Sequence, residues 1–159
     1  MSDQQPITGT CSCGETQYEL LDSPMFVHCC HCTWCQRETG SAFALNALIE
    51  ATLVNITKGH PECVHTPSNS GQGQDITRCT HCKTAIWSNY AAANKAVNFV
   101  RVGTLDAPSS FPPDIHIFTS TKQDWVLLDD RVPIMSEYYQ AKTVWPEASK
   151  IRYKRAIGT

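Results

Sequence analysis

Apolar and polar positions alternate repeatedly along this chain, and the clearest run is Val97-Asn98-Phe99-Val100-Arg101-Val102. Alternation with period two predicts a strand with one face turned to a core. Tyr18 to Leu20 alternates in the same way. Met25 to Cys29 reads as a strand, and Ala42 to Leu53 is apolar enough for one or two more. Ile56 to Val64 predicts a strand pair that turns at Lys58-Gly59-His60-Pro61. Ile76 to Arg78 leads into Cys79, Ala85 to Trp87 is apolar again, Ile115 to Phe118 reads as a strand, and Asp124 to Leu128 predicts a turn continuing as a strand. Between these runs lie breakers. Asp22-Ser23-Pro24 marks a turn, Gly40 stops a short helix ending at Glu38-Thr39, and Ser68 to Gln74 is a polar loop. Residues 107–114 carry Pro108, Pro112 and Pro113 and read as irregular. The tail from Glu137 mixes aromatic and basic residues that suit a cover for the core or a partner surface. The expected fold class is mainly β.

At 159 residues, one domain is the expectation, with residues 1–8 as a disordered lead. A 42% apolar and 18% charged composition is that of a globular chain. The net charge of −2 gives no electrostatic case for nucleic acid, and no apolar run is long enough to span a membrane. The first residues lack a basic segment followed by an apolar one, so the expected location is cytoplasmic.

The nine cysteines change the picture, because most of them sit in Cys-x-Cys or Cys-x-x-Cys clusters. Without an export signal such clusters point to metal ligation rather than disulfides. Cys30-His31-Cys32-Thr33-Trp34-Cys35 places three thiols within six residues. Cys11 and Cys13 form a second cluster, with Gly14 free to take positive φ, and Cys79 and Cys82 form a third. Thiolate sulfur in these spacings suits zinc, which is tetrahedral and redox-inert. Cys11, Cys13, Cys79 and Cys82 make the simplest four-sulfur closure, expected to be structural. Cys30, Cys32 and Cys35 then remain as a three-ligand centre. Two readings of it stay open. It keeps an exchangeable position, as a catalytic zinc does, or Cys29, Cys63 or a histidine closes it. Cys29 and His31 alternate away from Cys30 and Cys32, which argues against both as ligands.

These motifs, taken with Tyr18, Thr39-Gly40-Ser41, Arg78, Gly103-Thr104-Leu105-Asp106, Trp125 and Pro133, resemble the glutathione-dependent formaldehyde-activating enzyme family, which also contains centromere protein V. The resemblance implies that residues 9–159 form a single zinc-binding domain, a β-tent of stacked antiparallel sheets stapled by zinc. It implies two Zn2+ per chain: a structural ion on Cys11, Cys13, Cys79 and Cys82, and a catalytic ion on Cys30, Cys32 and Cys35. It implies a carbon–sulfur lyase that forms or breaks S-(hydroxymethyl)glutathione, with a small-molecule thiol and an aldehyde as partners. A homo-oligomer is compatible with it. Two positions depart from the family's pattern. Lys83 stands where a glycine is frequent, and Gln36-Arg37 stands where a basic residue directly follows the third cysteine. Arg37 is a candidate for orienting an anionic substrate, and Trp34 for walling the pocket. The competing readings are a zinc-stabilised binding module without catalysis and a zinc hydrolase acting on another substrate.

Overall fold

A computed structural model describes residues 6–159. Ten strands occur among them: β1 (Ile7–Thr10), β2 (Gln17–Leu20), β3 (Phe26–Cys30), β4 (Ala44–Glu50), β5 (Val54–Lys58), β6 (Glu62–Thr66), β7 (Gln74–Arg78), β8 (Ala85–Tyr90), β9 (Val97–Arg101) and β10 (Ile115–Ile117). Helix α1 (Thr33–Thr39) follows β3, and α2 (Ala141–Val144) and α3 (Glu147–Ile157) end the chain. A three-stranded sheet has the order β1-β2-β5, and a seven-stranded sheet the order β10-β3-β4-β9-β8-β7-β6. Both are antiparallel except where β10 runs parallel to β3. The mainly β expectation is met.

The middle of the large sheet is covered on both sides, so β3 is buried at every position and does not show a polar face. One apolar cluster holds Tyr18 and Leu20 from the small sheet against Val27, Ala47, Ile49 and Val100 of the large one. The other holds Met25, Phe26, Leu48, Val97, Ile115 and Ile117 on the opposite side, capped by Trp145 from the C-terminal segment. The aromatic tail therefore covers the core. Arg152 of α3 fastens it further, with Nε and Nη2 2.8 and 2.6 Å from the Glu50 carboxylate of β4. In the first cluster the Tyr18 ring lies over Gly9, where a Cβ would come within 2.3 Å of the ring, so this position requires glycine.

Three expectations are corrected. Ile7 and Thr8, assigned above to the lead, belong to β1, while residues 1–5 lie outside the described residues. β5 and β6 do flank a turn at Gly59, where φ is 82°, but they do not pair with each other. β5 joins β2 in the small sheet and β6 joins β7 in the large one, so the chain crosses between sheets there. Asp124 to Leu128 forms no strand, and Trp125 and Leu127 are 72% and 92% exposed. Their apolar character has no strand to pair with and no core to face.

Candidate metal centres

Four sulfurs converge where the two sheets meet. Cys11 and Cys13 lie on the turn that leaves β1 of the small sheet, and Cys79 and Cys82 on the turn that leaves β7 of the large one. Their Sγ atoms all lie within 4.8 Å of one another, with 3.6 Å between Cys11 and Cys13 and 3.8 Å between Cys13 and Cys79. Ligands about 2.3 Å from a tetrahedral zinc are roughly 3.8 Å apart, so the spacing fits that ion.

The two turns are built alike. Cys11 N–H donates to Thr16 O at 3.0 Å, and Cys79 N–H donates to Thr84 O at 3.0 Å. Each turn needs a left-handed residue after its second cysteine: Gly14 at φ 78° in one, Lys83 at φ 62° in the other. The lysine departure is thus real strain, of about 1–2 kcal/mol. Lys83 Nζ reaches Glu62 at 2.6 Å, and Lys83 O accepts from Arg78, so the turn is braced. The Thr84 hydroxyl and backbone N–H hold the Cys82 thiol down to about 5. Thr16 and the backbone N–H groups of Cys82 and His81 hold Cys79 below the ordinary thiol range. Both thiols are therefore prepared to act as thiolates.

The second group has three members. Cys30 ends β3, Cys32 is the N-cap of α1, and Cys35 lies in the first turn of that helix. Their Sγ atoms lie within 4.8 Å of one another. Cys32 Sγ accepts from Cys35 N–H at 3.3 Å, and Gly40 at φ 63° closes the helix with its N–H on Gln36 O. The Cys30 and Cys35 thiols, with the backbone N–H groups of Cys35 and Trp34, hold Cys32 down at about 2. Cys30 is pushed far up by its hydrogen bonds to Cys32 and Cys35 and by burial. Cys35 rises to about 12: the hydrogen bond from Cys30 favours its thiolate, but the Cys32 thiolate and burial outweigh it. The three thiols titrate as one group, and a cation entering here must displace the protons they still hold.

Cys29, His31 and His116 gather on the opposite side of the strand, also within 4.8 Å. His31 Nε2 and His116 Nδ1 are 3.0 Å apart, an ordinary hydrogen bond between neutral rings, and Cys29 Sγ is 3.4 Å from His31 Nε2. His31 Nδ1 and His116 Nε2 have no partner among the described residues. A metal between the rings would turn both outer nitrogens into buried unpaired donors, whereas the hydrogen-bonded pair leaves only one. The hydrogen-bonded pair thus leaves fewer unpaired donors than a metal there would, and Cys29 and His31 gather with His116 rather than with Cys30, Cys32 and Cys35. Cys63 lies exposed on β6, far from either role.

The three-sulfur group looks onto a polar row within the large sheet. His28, Asn46 and Arg101 are cross-strand neighbours on β3, β4 and β9, and Arg101 reaches Ser88 of β8 at 3.0 Å. All four are buried. Tyr139 OH accepts from Trp145 Nε1 and shares a 2.6 Å hydrogen bond with His28 Nε2. Burial drives His28 down to about 3. Its folded value lies below the unfolded one, so below about pH 6.5 the unfolded state binds the extra proton. Stability is full above that pH and is lost as pH falls toward 3, at roughly 1.4 kcal/mol per unit. Urea unfolding should therefore show a large loss between pH 7 and 5 that His28→Gln, which can still bond Tyr139, reduces. Equal losses in both proteins would remove His28 as the cause.

Two residues proposed from sequence lie elsewhere. Trp34 is 40% exposed and walls neither hollow beside the site. Arg37 lines a hollow with Gln36 and Trp125 on the outer side of α1. Gln36, which the sequence marks only as a departure from the family's pattern, donates its amide to His31 O at 2.8 Å and Thr121 O at 2.9 Å and braces the three-cysteine turn. Sequence reading passed over Arg101, hidden as one polar step in a strand pattern. The signal was present: Arg101 shares the parity of Val97 and Phe99, the face that turns inward.

Among the described residues no helix is long and apolar enough to cross a membrane. The family model for the glutathione-dependent formaldehyde-activating enzyme matches residues 6–121, which include all seven clustered cysteines and stop before Trp125. No curated protein matches the chain. Among solved structures, a Rhodobacter sphaeroides protein is similar at 18% identity and a TM-score of 0.49, over 80% of this chain and 99% of that one. With nearly all of its β-sheet framework and both cysteine groups inside the match, the chain belongs to the glutathione-dependent formaldehyde-activating enzyme family.

Proposed function

We propose that the chain is a zinc-dependent carbon–sulfur lyase that forms or cleaves an S-hydroxyalkyl adduct between a thiol, glutathione in the family's namesake reaction, and an aldehyde. Cys11, Cys13, Cys79 and Cys82 hold a structural Zn2+, and Cys30, Cys32 and Cys35 a catalytic one. The observation that carries this reading is the unequal ligand count. Four donors gather in one group and three in the other, while Cys29, His31 and His116 are engaged with one another. Three protein ligands with a fourth position for substrate is the pattern of a catalytic zinc.

Zinc carrying three thiolates is a poor activator of water but a suitable holder of an incoming thiolate. The chain's own part is to supply three sulfurs, to brace them through Gln36 and the α1 cap, and to exclude water with the aromatic tail. In the reaction the thiol gives up its proton and its sulfur bonds to the carbonyl carbon. The carbonyl π pair moves to oxygen, which takes a proton, and a hemithioacetal results. The reverse breaks the carbon–sulfur bond. None of the nine cysteines is in a disulfide, which fits a reducing, cytoplasmic setting.

Protein purified under reducing conditions should contain two zinc ions per chain by elemental analysis. It should also accelerate exchange between formaldehyde plus glutathione and S-(hydroxymethyl)glutathione, followed by NMR. One zinc or none, with disulfides present, removes the two-centre reading. Two zinc ions with no acceleration by any aldehyde and thiol pair removes the lyase.

A further inference from the structure

One side-chain pair joins the two sulfur groups. Arg78 ends β7 and directly precedes Cys79, and Glu38 lies three residues after Cys35 on α1. Residues three apart on a helix share a side, so Glu38 extends from the side of α1 that carries Cys35. Arg78 Nη2 donates to Glu38 Oε1, and Arg78 Nη1 donates to Lys83 O at 3.3 Å. A single guanidinium therefore holds the strained residue of the four-sulfur turn with one nitrogen and the helix of the three-sulfur group with another.

Little else fastens this end of the helix. No residue of α1 is buried, and its first half is tied down through Gln36. The second half borders a cleft of about 760 Å³, lined by Glu38 and Thr39 from the helix and by Arg78, Cys82 and Lys83 from the four-sulfur turn. A helix end beside open space lacks the close-packed neighbours that fix position in a core. The bond between Arg78 and Glu38 is the only ion pair α1 makes among the described residues, and it is largely shielded, with 22% of the arginine and 16% of the glutamate side chain exposed. A shielded ion pair adds little net stability over apolar side chains of similar volume. What a guanidinium bonded on two sides supplies is fixed direction and distance. Metal–sulfur distances hold to within about 0.2 Å, so a small drift of Cys35 away from Cys30 and Cys32 weakens metal binding there.

We infer that Arg78 and Glu38 are a positioning pair, which carries the placement of the four-sulfur turn across to Cys35 and so sets how firmly the three-sulfur group holds its metal. The inference rests on the proposed two-zinc reading. Neither residue is a metal ligand, and the pair acts through Cys35. The four-sulfur centre is then more than a staple between sheets, because it is also the fixed frame against which the second centre is aligned.

Zinc release from the two-zinc protein to a chromogenic chelator tests this. The wild type should show two phases, a fast one that Cys32→Ala removes and a slow one from the four-sulfur centre. Glu38→Gln should speed the fast phase by roughly tenfold and leave the slow phase in place. If Glu38→Gln does not fold, the double variant Arg78→Met/Glu38→Leu carries the test. It replaces both charges with apolar side chains, a change that is often neutral to folding. Its melt should match the wild type while its fast phase stays accelerated, which a merely structural role for the pair does not produce. An unaltered fast phase in a variant that folds overturns the inference. Equal acceleration of both phases also overturns it, because general loosening of the fold gives that result. A wild type holding a single zinc is a different failure: it removes the two-centre reading and the inference with it.

Discussion

Cys79→Ala is expected to abolish cooperative folding, while Cys32→Ala leaves a folded protein that has lost its second metal. The difference follows from what each group joins. The four-sulfur group ties the end of β1 in the small sheet to the end of β7 in the large one. Those segments are more than sixty residues apart in sequence, with Cys13 and Cys79 separated by 66 positions. A structural zinc contributes on the order of 10 kcal/mol to folding, comparable with the whole net stability of a domain. Removing one of its ligands also leaves three thiols crowded together at the join. The three-sulfur group, by contrast, joins residues that are five positions apart on a single turn. That turn is held independently by Gln36, by His31 N–H on Ile117 O at 3.0 Å and by Gly40 at the helix end. Cys32→Ala removes an N-cap acceptor, a loss of about 1 kcal/mol. Thermal melts with zinc analysis decide the matter. If Cys32→Ala is the more destructive change, the structural and catalytic assignments must be exchanged.

The sequence was most readable where one residue type has one use. Cysteine spacing identified both sulfur groups, because a metal gathers thiols whatever the chain does between them. Alternation found β2, which turns Tyr18 and Leu20 to one core, and β9, which turns Val97 and Phe99 to one core and Val100 to the other. It was less informative for β3, buried on both faces, whose boundaries came instead from the cysteines that end it. Pairing partners were not legible. Lys58-Gly59-His60-Pro61 has the composition of a hairpin turn, and Gly59 has the positive φ of one, yet β5 and β6 go to different sheets. Local turn chemistry fixes how the chain reverses, not which edge each strand finds. Asp124 to Leu128 failed for the related reason that an apolar run needs a partner to become a strand. The C-terminal helices carried weak periodicity: α3 packs Tyr153, Ala156 and Ile157 on the core, and the polar residues Arg152 and Ser149 fasten it beside them. Arg101 was passed over because its role depends on Asn46 and Ser88, contributed by strands 55 and 13 positions away.

In cobalt-substituted protein, glutathione should shift the thiolate-to-cobalt charge-transfer bands toward all-sulfur ligation. Intensity of these bands follows the number of sulfur ligands, so the four-sulfur centre gives a constant background and the change reports Cys30, Cys32 and Cys35. The protein supplies three sulfurs there and no fourth donor is gathered with them among the described residues. An added sulfur is therefore the largest spectral change the site can undergo. S-methylglutathione, with the same charge and no thiol, should leave the bands unaltered even when it binds. The response to glutathione should weaken as pH falls, because the entering ligand must lose its proton to bind as thiolate. Cys32→Ala should abolish the response by removing one of the three gathered sulfurs. A neutral thiol such as 2-mercaptoethanol should give the same final spectrum, since it too brings one sulfur to the group. If glutathione is silent and another small thiol is not, the substrate changes and the chemistry stands. If no thiol alters the bands, the three-sulfur centre is closed to ligands, and a zinc-stabilised binding module becomes the better account of the protein.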